Sequence, residues 1–154
     1  MVEIANHIHD LKRGVDFIGV GVVFICHDGH GRVLLHKRSN KCRDEHGRWN
    51  NGGGAVEFGE DLDTAVRREV MEEYGVEPIE LKYLEHKNVI RQNGDHQTHW
   101  VAMRYSVLVD PEKVINGDPE KIDEFGWFTL DNLPTPLHGV LANELELVKK
   151  VLGV

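Results

Sequence analysis

The segment from Asp61 to Gly75 combines a strong helix signal with an unusual distribution of charge. Asp61 suits an N-cap, no glycine or proline interrupts the residues that follow, and Gly75 supplies a C-terminal stop. At about 100° per residue, one face collects the apolar residues Leu62, Ala65, Val66 and Val70. Glu69, Glu72 and Glu73 fall in or beside that face, and not opposite it. The pattern therefore predicts a helix that carries carboxylates toward the protein interior.

Carboxylates at positions i, i+3 and i+4 of a helix repel one another, by a few tenths of a kcal/mol per exposed pair and by more where water is excluded. A positive partner is therefore expected. An all-carboxylate ligand set favours Mg²⁺ or Mn²⁺. The alternative is an ordinary surface helix whose glutamates pair with Arg67 and Arg68, and spacing alone does not separate the two. Tyr74 is expected to lie away from the centre of the apolar face.

Three consecutive glycines, Gly52 to Gly54, precede this helix and predict a flexible loop. Residues 55–58 are expected to form a short extended segment after it. Because consecutive glycines allow close backbone approach and positive φ, such a loop suits phosphate binding.

The glycines and the helix together form a longer motif. Gly54 is followed after five residues by Glu60 and, after seven more, by the run REVMEEYGV at residues 68–76. This resembles the Nudix box, G-x5-E-x7-R-E-U-x-E-E-x-G-U with U aliphatic, at every defined position. The family usually has Pro-Gly-Gly ahead of the box, whereas this chain has Gly-Gly-Gly, which leaves a looser loop but removes no ligand.

The resemblance implies a Nudix hydrolase, an enzyme that cleaves a nucleoside diphosphate linked to another moiety X with the help of Mg²⁺, or alternatively Mn²⁺. The residues it assigns to metal binding are Glu69, Glu72, Glu73, the accessory Glu60 and Gly54. Arg68 would orient a glutamate of this set through an ion pair. Metal ions would activate a water for in-line attack on phosphorus, and a carboxylate, either Glu73 or Glu120, would take the proton.

A further carboxylate is expected from the acidic loop at residues 110–124, because Nudix enzymes often draw a base or an extra ligand from this position. Glu120 is the first choice and Glu124 the second. The alternative for either residue is a plain solvated side chain.

Substrate contacts are expected from two strands near the N-terminus. Residues 17–26 read as a buried strand, with Gly19 and Gly21 on one face, where either a packed helix or a ligand would fit. Residues 32–38 read as the second strand of a hairpin with the first, and it ends at Arg38. By the resemblance, Arg38 and Gly53 would contact substrate phosphate.

Residues 79–92 and 98–110 predict a long antiparallel hairpin around Asn93-Gly94. His99 and Trp100 lie near the start of its second strand, where they would contact a base or, alternatively, pack against the neighbouring strand. Residues 137–152 predict a C-terminal helix. The order of elements predicts an α/β protein with a mixed β-sheet between helices, an α/β/α sandwich that agrees with the Nudix fold. One domain is expected over residues 1–154.

The amino-acid composition argues against some classes of binding partner. A net charge of −8 and a 40% apolar content disfavour duplex nucleic acid and anionic membranes. No apolar run reaches the roughly 18 residues that would span a bilayer, and residues 1–14 lack the apolar core of a signal peptide. Two cysteines in a chain of this size favour a reducing compartment, so a cytoplasmic location is expected.

By resemblance, the expected reaction is hydrolysis of a (deoxy)nucleoside triphosphate to monophosphate and pyrophosphate. ADP-ribose or a nucleotide sugar is the alternative substrate. A different class of protein, a nucleotide-binding Nudix module without hydrolysis, is also open, but such modules typically lose glutamates that this chain retains. A homodimer is expected by family resemblance alone.

Overall fold

The computed structural model describes residues 10–154. The first nine residues of the N-terminal segment considered above lie outside the described part of the chain. Within residues 10–154 the strands are β1 Gly19–His27, β2 Val33–Arg38, β3 Trp49–Asn50, β4 Gly52–Ala55, β5 Glu80–Asn93, β6 His96–Leu108 and β7 Ile122–Phe128. The helices are α1 Leu62–Tyr74, α2 Gly139–Ala142 and α3 Leu145–Leu152. Short 3₁₀ turns cover Pro111–Lys113 and Leu130–Asn132.

The strands form one mixed sheet in the order β3-β2-β1-β6-β5, with β4 paired to β1 and β7 paired to β2. β1 is parallel to β6 and antiparallel to β4. The predicted hairpin of β1 and β2 is short, because the two strands share a register only at His27 and Val33. Beyond that point β2 pairs with β7 and β3, and β1 pairs with β6 and β4. The split between β1 and β2 makes room for the clefts described below.

Helix α1 has the predicted boundaries. The Asp61 side chain accepts a hydrogen bond from the Thr64 amide at 2.8 Å, and Gly75 ends the helix with a φ of 60°. The prediction for Tyr74 was wrong, since its side chain is buried between α1 and the sheet. Tyr74 reaches the interior because it follows Val70 by four residues, one turn further along the same face.

The glycine segment is a strand and not a flexible loop. Gly52–Ala55 form β4, which pairs with β1 in the register Val22↔Gly54 and Val23↔Gly53. The extended segment therefore begins three residues earlier than predicted, and the chain turns at Gly59, where φ is 82°. Pairing with β1 fixes a backbone that local propensity alone leaves loose.

The long hairpin is confirmed. β5 and β6 pair continuously from Glu80↔Leu108 to Asn93↔His96, apart from one irregularity near Tyr83. Gly94 lies at the turn with a φ of 61°, a backbone conformation that favours glycine.

The predicted C-terminal helix is broken in two. Asn143 and Glu144 separate α2 from α3, and Glu144 has a non-helical φ of −131°. The Glu144 carboxylate bonds to both Arg104 and Lys87, which holds the chain to β5 and β6 at the break. Leu147 and Val148 are buried after the break, whereas Leu145 is 36% exposed.

Two apolar clusters lie on opposite faces of the sheet. One packs α1 against β1 and β6 and includes Phe24, Val70 and Tyr105. The other packs α2 and α3 against β1 and β2 and includes Ile25 and Val148. The predicted sandwich of a mixed sheet between helices is therefore confirmed. Over residues 10–154, none of the helices combines the length and apolar character required to cross a membrane.

Candidate active site

Arg68 organises the acidic face of α1. Its guanidinium donates to both carboxylate oxygens of Glu60, with Nε to Oε2 at 2.8 Å and Nη2 to Oε1 at 2.9 Å. Nη1 donates to Oε1 of Glu69 at 2.8 Å, and Nη2 also donates to the Ala55 carbonyl at 3.0 Å. A planar fork with several donors can hold all of these groups at once. Arg68 therefore ties α1 to the loop before it and to the end of β4.

Glu69 lies directly against the backbone of β4. A Cβ atom placed on Gly54 would be only 2.1 Å from the Glu69 carboxyl carbon. Any larger residue would therefore force this carboxylate to move. The Glu69 side chain is 13% exposed, and Glu72, one turn further toward solvent, is 56% exposed.

Glu73 is enclosed by the same strand. A Cβ on Gly52 would be 2.4 Å from its Oε2 atom, and the Gly53 amide donates to Oε1 at 3.4 Å. Oε2 is buried and has no hydrogen-bond partner in the described part of the chain. A buried carboxylate oxygen without a partner is energetically costly, so the geometry indicates that a cation or another donor belongs there.

The pKa values of Glu60, Glu69 and Glu73 are shifted in different ways. The ion pair with Arg68 lowers the pKa of Glu60 to about 2. Burial raises the pKa of Glu69, although Arg68 opposes the shift. Burial, and then the charge of Glu69, raises the pKa of Glu73 well above its usual range, and Asp118 adds to the effect. Glu60 and Glu69 therefore share the charge of Arg68, whereas the buried Oε2 atom of Glu73 has no hydrogen-bond partner among residues 10–154.

The donor set fits a hard divalent cation. Glu69, Glu72 and Glu73 offer carboxylate oxygens from one helix, and the Gly52 to Gly54 backbone leaves space beside them that a side chain would fill. Oxygen ligands at a partly solvated edge suit Mg²⁺, which usually keeps waters and binds substrate phosphates. The predicted ligands Glu69, Glu73 and Gly54 are thus brought together, whereas Glu60 is fully engaged by Arg68.

A cleft of about 360 Å³ opens beside Glu73 on the sheet face that carries α2. Its lining includes Gly53, Val89, Trp100 and Val140. The Trp100 ring fills the space over Gly19, where a Cβ would lie 2.6 Å from the ring. The room left by the glycines of β1 is therefore taken by an aromatic side chain near Gly19, while Gly21 lines the cleft.

A second cleft of about 310 Å³ adjoins the first. Residues that line it alone include Cys42, Asp118 and Lys121. The residues that line both clefts are His36, Arg38, Arg43, Gly53 and Glu73. These five residues, called the shared wall here, place the Glu73 carboxylate at the boundary between two spaces.

Arg38 reaches the shared wall as part of an ion pair. It donates to the Asp44 carboxylate at 2.9 Å and to the Asp44 carbonyl at 3.0 Å. Arg43 was not singled out from the sequence, because it lies in a long polar loop that no local pattern orients. The loop folds back over the sheet, and Arg43 lines both clefts.

His99 does not line either cleft. Its ring bonds to the Asn88 side chain at 2.8 Å, and its neighbours Thr98 and Trp100 face the larger cleft instead. Successive residues of a strand point to opposite faces, so His99 and Trp100 cannot both face the same cleft. The alternation around Trp100 is the sequence signal that would have separated them.

Glu120 and Glu124 lie outside both clefts as well. The Glu120 side chain is 77% exposed and pairs with Lys41 at 3.4 Å, and Glu124 is an exposed residue of β7. Asp118, two residues before Glu120, lines the smaller cleft. Asp118 is placed there because the Gly117 amide donates to the Glu73 carbonyl at 2.9 Å, which fixes this loop to the end of α1.

A second acidic group surrounds His138. Asp44, Glu45 and His138 offer ligand atoms within 4.8 Å of one another. Arginines already neutralise this group, since Arg38 binds Asp44 and Arg91 approaches Glu45 at 3.4 Å. It is therefore an ion-pair network at the rim of the larger cleft.

Comparison with known proteins identifies the family of this chain. The family described as NUDIX domain matches residues 17–148. The chain is 36% identical over 119 residues to the NAD-capped RNA hydrolase NudC of Citrobacter koseri, covering 73% of this chain and 44% of that protein. The corresponding Shigella dysenteriae protein is 35% identical over the same length. The chain thus spans less than half the length of the curated relatives it matches.

Solved structures show the same fold. A MutT NUDIX hydrolase from Burkholderia pseudomallei superposes with a TM-score of 0.72 at 33% identity, covering 85% of this chain and 98% of that one. DR0079 from Deinococcus radiodurans superposes with a TM-score of 0.66 at 21% identity, covering 83% of this chain and 81% of that one. At this identity the comparison shows a shared fold alone. The motif, the sheet between helices and the family match agree. This chain belongs to the NUDIX family of hydrolases.

Proposed function

We propose that this chain hydrolyses a phosphoanhydride bond in a nucleoside diphosphate linked to X, with Mg²⁺ as its metal and Mn²⁺ as the alternative. The observation that carries the proposal is the buried Oε2 atom of Glu73, which has no partner among residues 10–154 and lies one helical turn after Glu69 on α1. A buried carboxylate oxygen without a partner is costly unless a cation or a donor compensates it.

The proposed hydrolysis consumes only the substrate and one water molecule. The oxygen of a water forms a bond to phosphorus, the bond from phosphorus to the bridging oxygen breaks, and each product leaves with a phosphate group. A bound divalent cation would supply charge neutralisation and a lowered pKa for the water. In the chain itself, Glu69 and Glu73 would hold the cation, Arg68 keeps Glu69 in place, and the Gly53 amide donates to Glu73.

The base is proposed from three carboxylates, of which Glu73 and Asp118 line the smaller cleft and Glu120 lies outside both clefts. Glu73 and Glu120 are the two expected from the sequence, and the position of Asp118 in the smaller cleft adds a third. Separate Asp118→Asn and Glu120→Gln variants distinguish the last two. Loss of turnover at high pH in only one of them would identify the residue that accepts the proton.

The substrate proposed first is a (deoxy)nucleoside triphosphate, cleaved to monophosphate and pyrophosphate. A dinucleotide of the NAD type is the second candidate, favoured by the 36% identity to a NAD-capped RNA hydrolase. ADP-ribose and nucleotide sugars belong to the same chemical class and stay as alternatives. A small nucleotide partner, a homodimer and a cytoplasmic location remain predictions.

A hydrolysis panel tests the proposal. The purified chain would be incubated with Mg²⁺ and the eight common (deoxy)nucleoside triphosphates, ADP-ribose, NADH and nucleotide sugars, and the phosphate products identified. We expect pyrophosphate from at least one triphosphate, abolished by chelation and restored by Mg²⁺. Release of two mononucleotides from NADH alone would favour the dinucleotide. Nucleotide binding without any turnover would favour the non-hydrolysing module.

A further inference from the structure

The two clefts differ in chemistry on either side of the shared wall. The larger cleft has an apolar surface formed by Val89, Trp100, Ala102 and Val140. The smaller cleft is polar and adds Lys121 and Asp118 to the residues of the wall. An apolar, partly aromatic surface suits a nucleoside, and the Arg43 and Lys121 side chains that line the smaller cleft suit a phosphate. The asymmetry therefore orients a nucleotide that lies across Glu73.

Arg43 has the least compensated of the arginine charges that face the clefts. Arg38 donates to the Asp44 carboxylate at 2.9 Å, and Arg91 approaches Glu45 at 3.4 Å and Asp44 at 3.9 Å. Among residues 10–154, Arg43 has an ion pair with the same Asp44 alone, at 3.9 Å, and its side chain is 75% exposed. Because Asp44 is already shared, Arg43 presents nearly a full positive charge to the boundary of the two clefts.

We propose that Arg43, together with Lys121, binds the distal phosphate of a nucleoside triphosphate in the smaller cleft. The nucleoside lies in the larger cleft, and the anhydride to be cleaved lies at the shared wall beside Glu73. The inference rests on the proposed function and narrows X to an anionic group. A substrate whose X is an uncharged sugar would gain little from either cation.

The contact is strong enough to measure. Charge-assisted hydrogen bonds between arginine and phosphate are about twice as strong as neutral ones. Exposure to solvent weakens the contact, so we expect its loss to reduce kcat/KM about tenfold for a triphosphate. A nucleoside diphosphate, which lacks the distal phosphate, should lose less than about twofold.

The experiment compares Arg43→Gln with Lys41→Gln. Both changes remove one positive charge from the same exposed loop, but Lys41 pairs with Glu120 and does not line either cleft. We expect Arg43→Gln to lower kcat/KM for the triphosphate selectively, mainly through KM, while Lys41→Gln leaves the ratio of triphosphate to diphosphate unchanged. Equal ratios in the two variants would overturn the inference.

A binding measurement separates this inference from the proposed function. Cys42 lines the smaller cleft and is partly exposed, whereas Cys26 is buried, so alkylation by N-ethylmaleimide reports on Cys42. With Mg²⁺ present, α,β-methylene-ATP should slow this alkylation in the wild type and in Lys41→Gln, but not in Arg43→Gln. α,β-Methylene-ADP should protect less.

Each outcome decides one of the two proposals. Arg43-dependent protection by the triphosphate analogue without hydrolysis of any substrate would leave the phosphate site standing and refute the hydrolase. Hydrolysis of triphosphates with equal protection in Arg43→Gln and Lys41→Gln would refute the phosphate site alone. Absence of protection in the wild type would also refute the site.

Discussion

The Tyr74 hydroxyl lies 2.7 Å from Nδ1 of His36, and both side chains are buried. The contact joins the last turn of α1 to β2. Glu73 precedes Tyr74 in the chain, and Arg38 follows His36 by two residues, so one buried hydrogen bond fixes the relative positions of the two sides of the shared wall.

His36 should make the protein sensitive to mild acid. Burial, together with the charge of Arg38, lowers the His36 pKa to about 4 from an ordinary value of 6.5. Because the unfolded chain binds the proton more readily, stability is complete above pH 6.5 and falls as the pH drops toward 4. The free energy of unfolding changes by about 1.4 kcal/mol for each pH unit between the two pKa values, so the loss is about 3 kcal/mol.

The measurement is the free energy of unfolding by urea at several pH values between 7 and 4. His36→Gln should show a shallower decline than the wild type over this range, after correction for its own lower stability at pH 7. The exposed His96 serves as the control position, and His96→Gln should follow the wild-type curve. Parallel curves for His36→Gln and the wild type would contradict the assignment.

Glu73→Gln should cut turnover by several orders of magnitude while the fold persists, since a ligand is lost and no core volume changes. The metal-free variant should be at least as stable as the wild type, because the amide removes a buried carboxylate that lacks a partner. Steady-state kinetics with Mg²⁺ and thermal unfolding test both statements. The exposed Glu77 offers the control Glu77→Gln, and wild-type turnover in Glu73→Gln would refute the metal assignment.

Gly54→Ala should inactivate the site through Glu69. The new methyl group would overlap the Glu69 carboxylate, and this flexible side chain would move away, so activity should fall about a hundredfold while stability falls by only about 1 kcal/mol. Gly59→Ala is the control, since a Cβ there meets no atom within 4 Å although its φ of 82° adds strain. It should lose stability and keep its activity. If Gly54→Ala kept its activity and Gly59→Ala lost it, β4 would not position Glu69.

Arg68→Lys should lower kcat about tenfold, because an ammonium cannot hold Glu60 by two bonds and Glu69 by a third at the same time. Arg67→Lys is the matched control on the adjacent position, where the guanidinium donates to the Pro78 carbonyl at 3.5 Å. Mg²⁺-dependent turnover of both variants gives the comparison. Similar rates in the two would mean that the fork of Arg68 has no orienting role.

The sequence predicted elements whose signals are local. Helix α1 has its cap, its face and its glycine stop within 15 consecutive residues, Asp61 to Gly75, and the β5–β6 hairpin has Asn93-Gly94 at its turn. The nine positions of the box also placed the glutamates on one helix. These features depend on propensity and periodicity, which a sequence displays directly.

Local sequence patterns could not predict the shared wall, because its residues come from segments that are far apart in the chain. Arg43 and Asp118 are brought to Glu73 by loops whose courses depend on tertiary contacts, including the Gly117 amide that bonds to the Glu73 carbonyl. The glycine strand was also missed, since glycine has a low strand propensity and only pairing with β1 orders it. His99 and Trp100 were named together because the sequence does not show which face of β6 is covered by α2.

The three glycines of β4 have no side chains that distinguish one face of the strand from the other. In most strands, a register shift of one residue moves every side chain to the opposite face of the sheet, and the burial of apolar side chains prevents it. Gly52 to Gly54 have no side chains to move, so burial does not fix their register. Asn51 supplies the missing constraint, because its buried side-chain amide donates to the Phe24 carbonyl on β1 at 3.1 Å. β4 is therefore held at both ends, by Arg68 at the Ala55 carbonyl and by an asparagine that bonds to neither Glu69 nor Glu73.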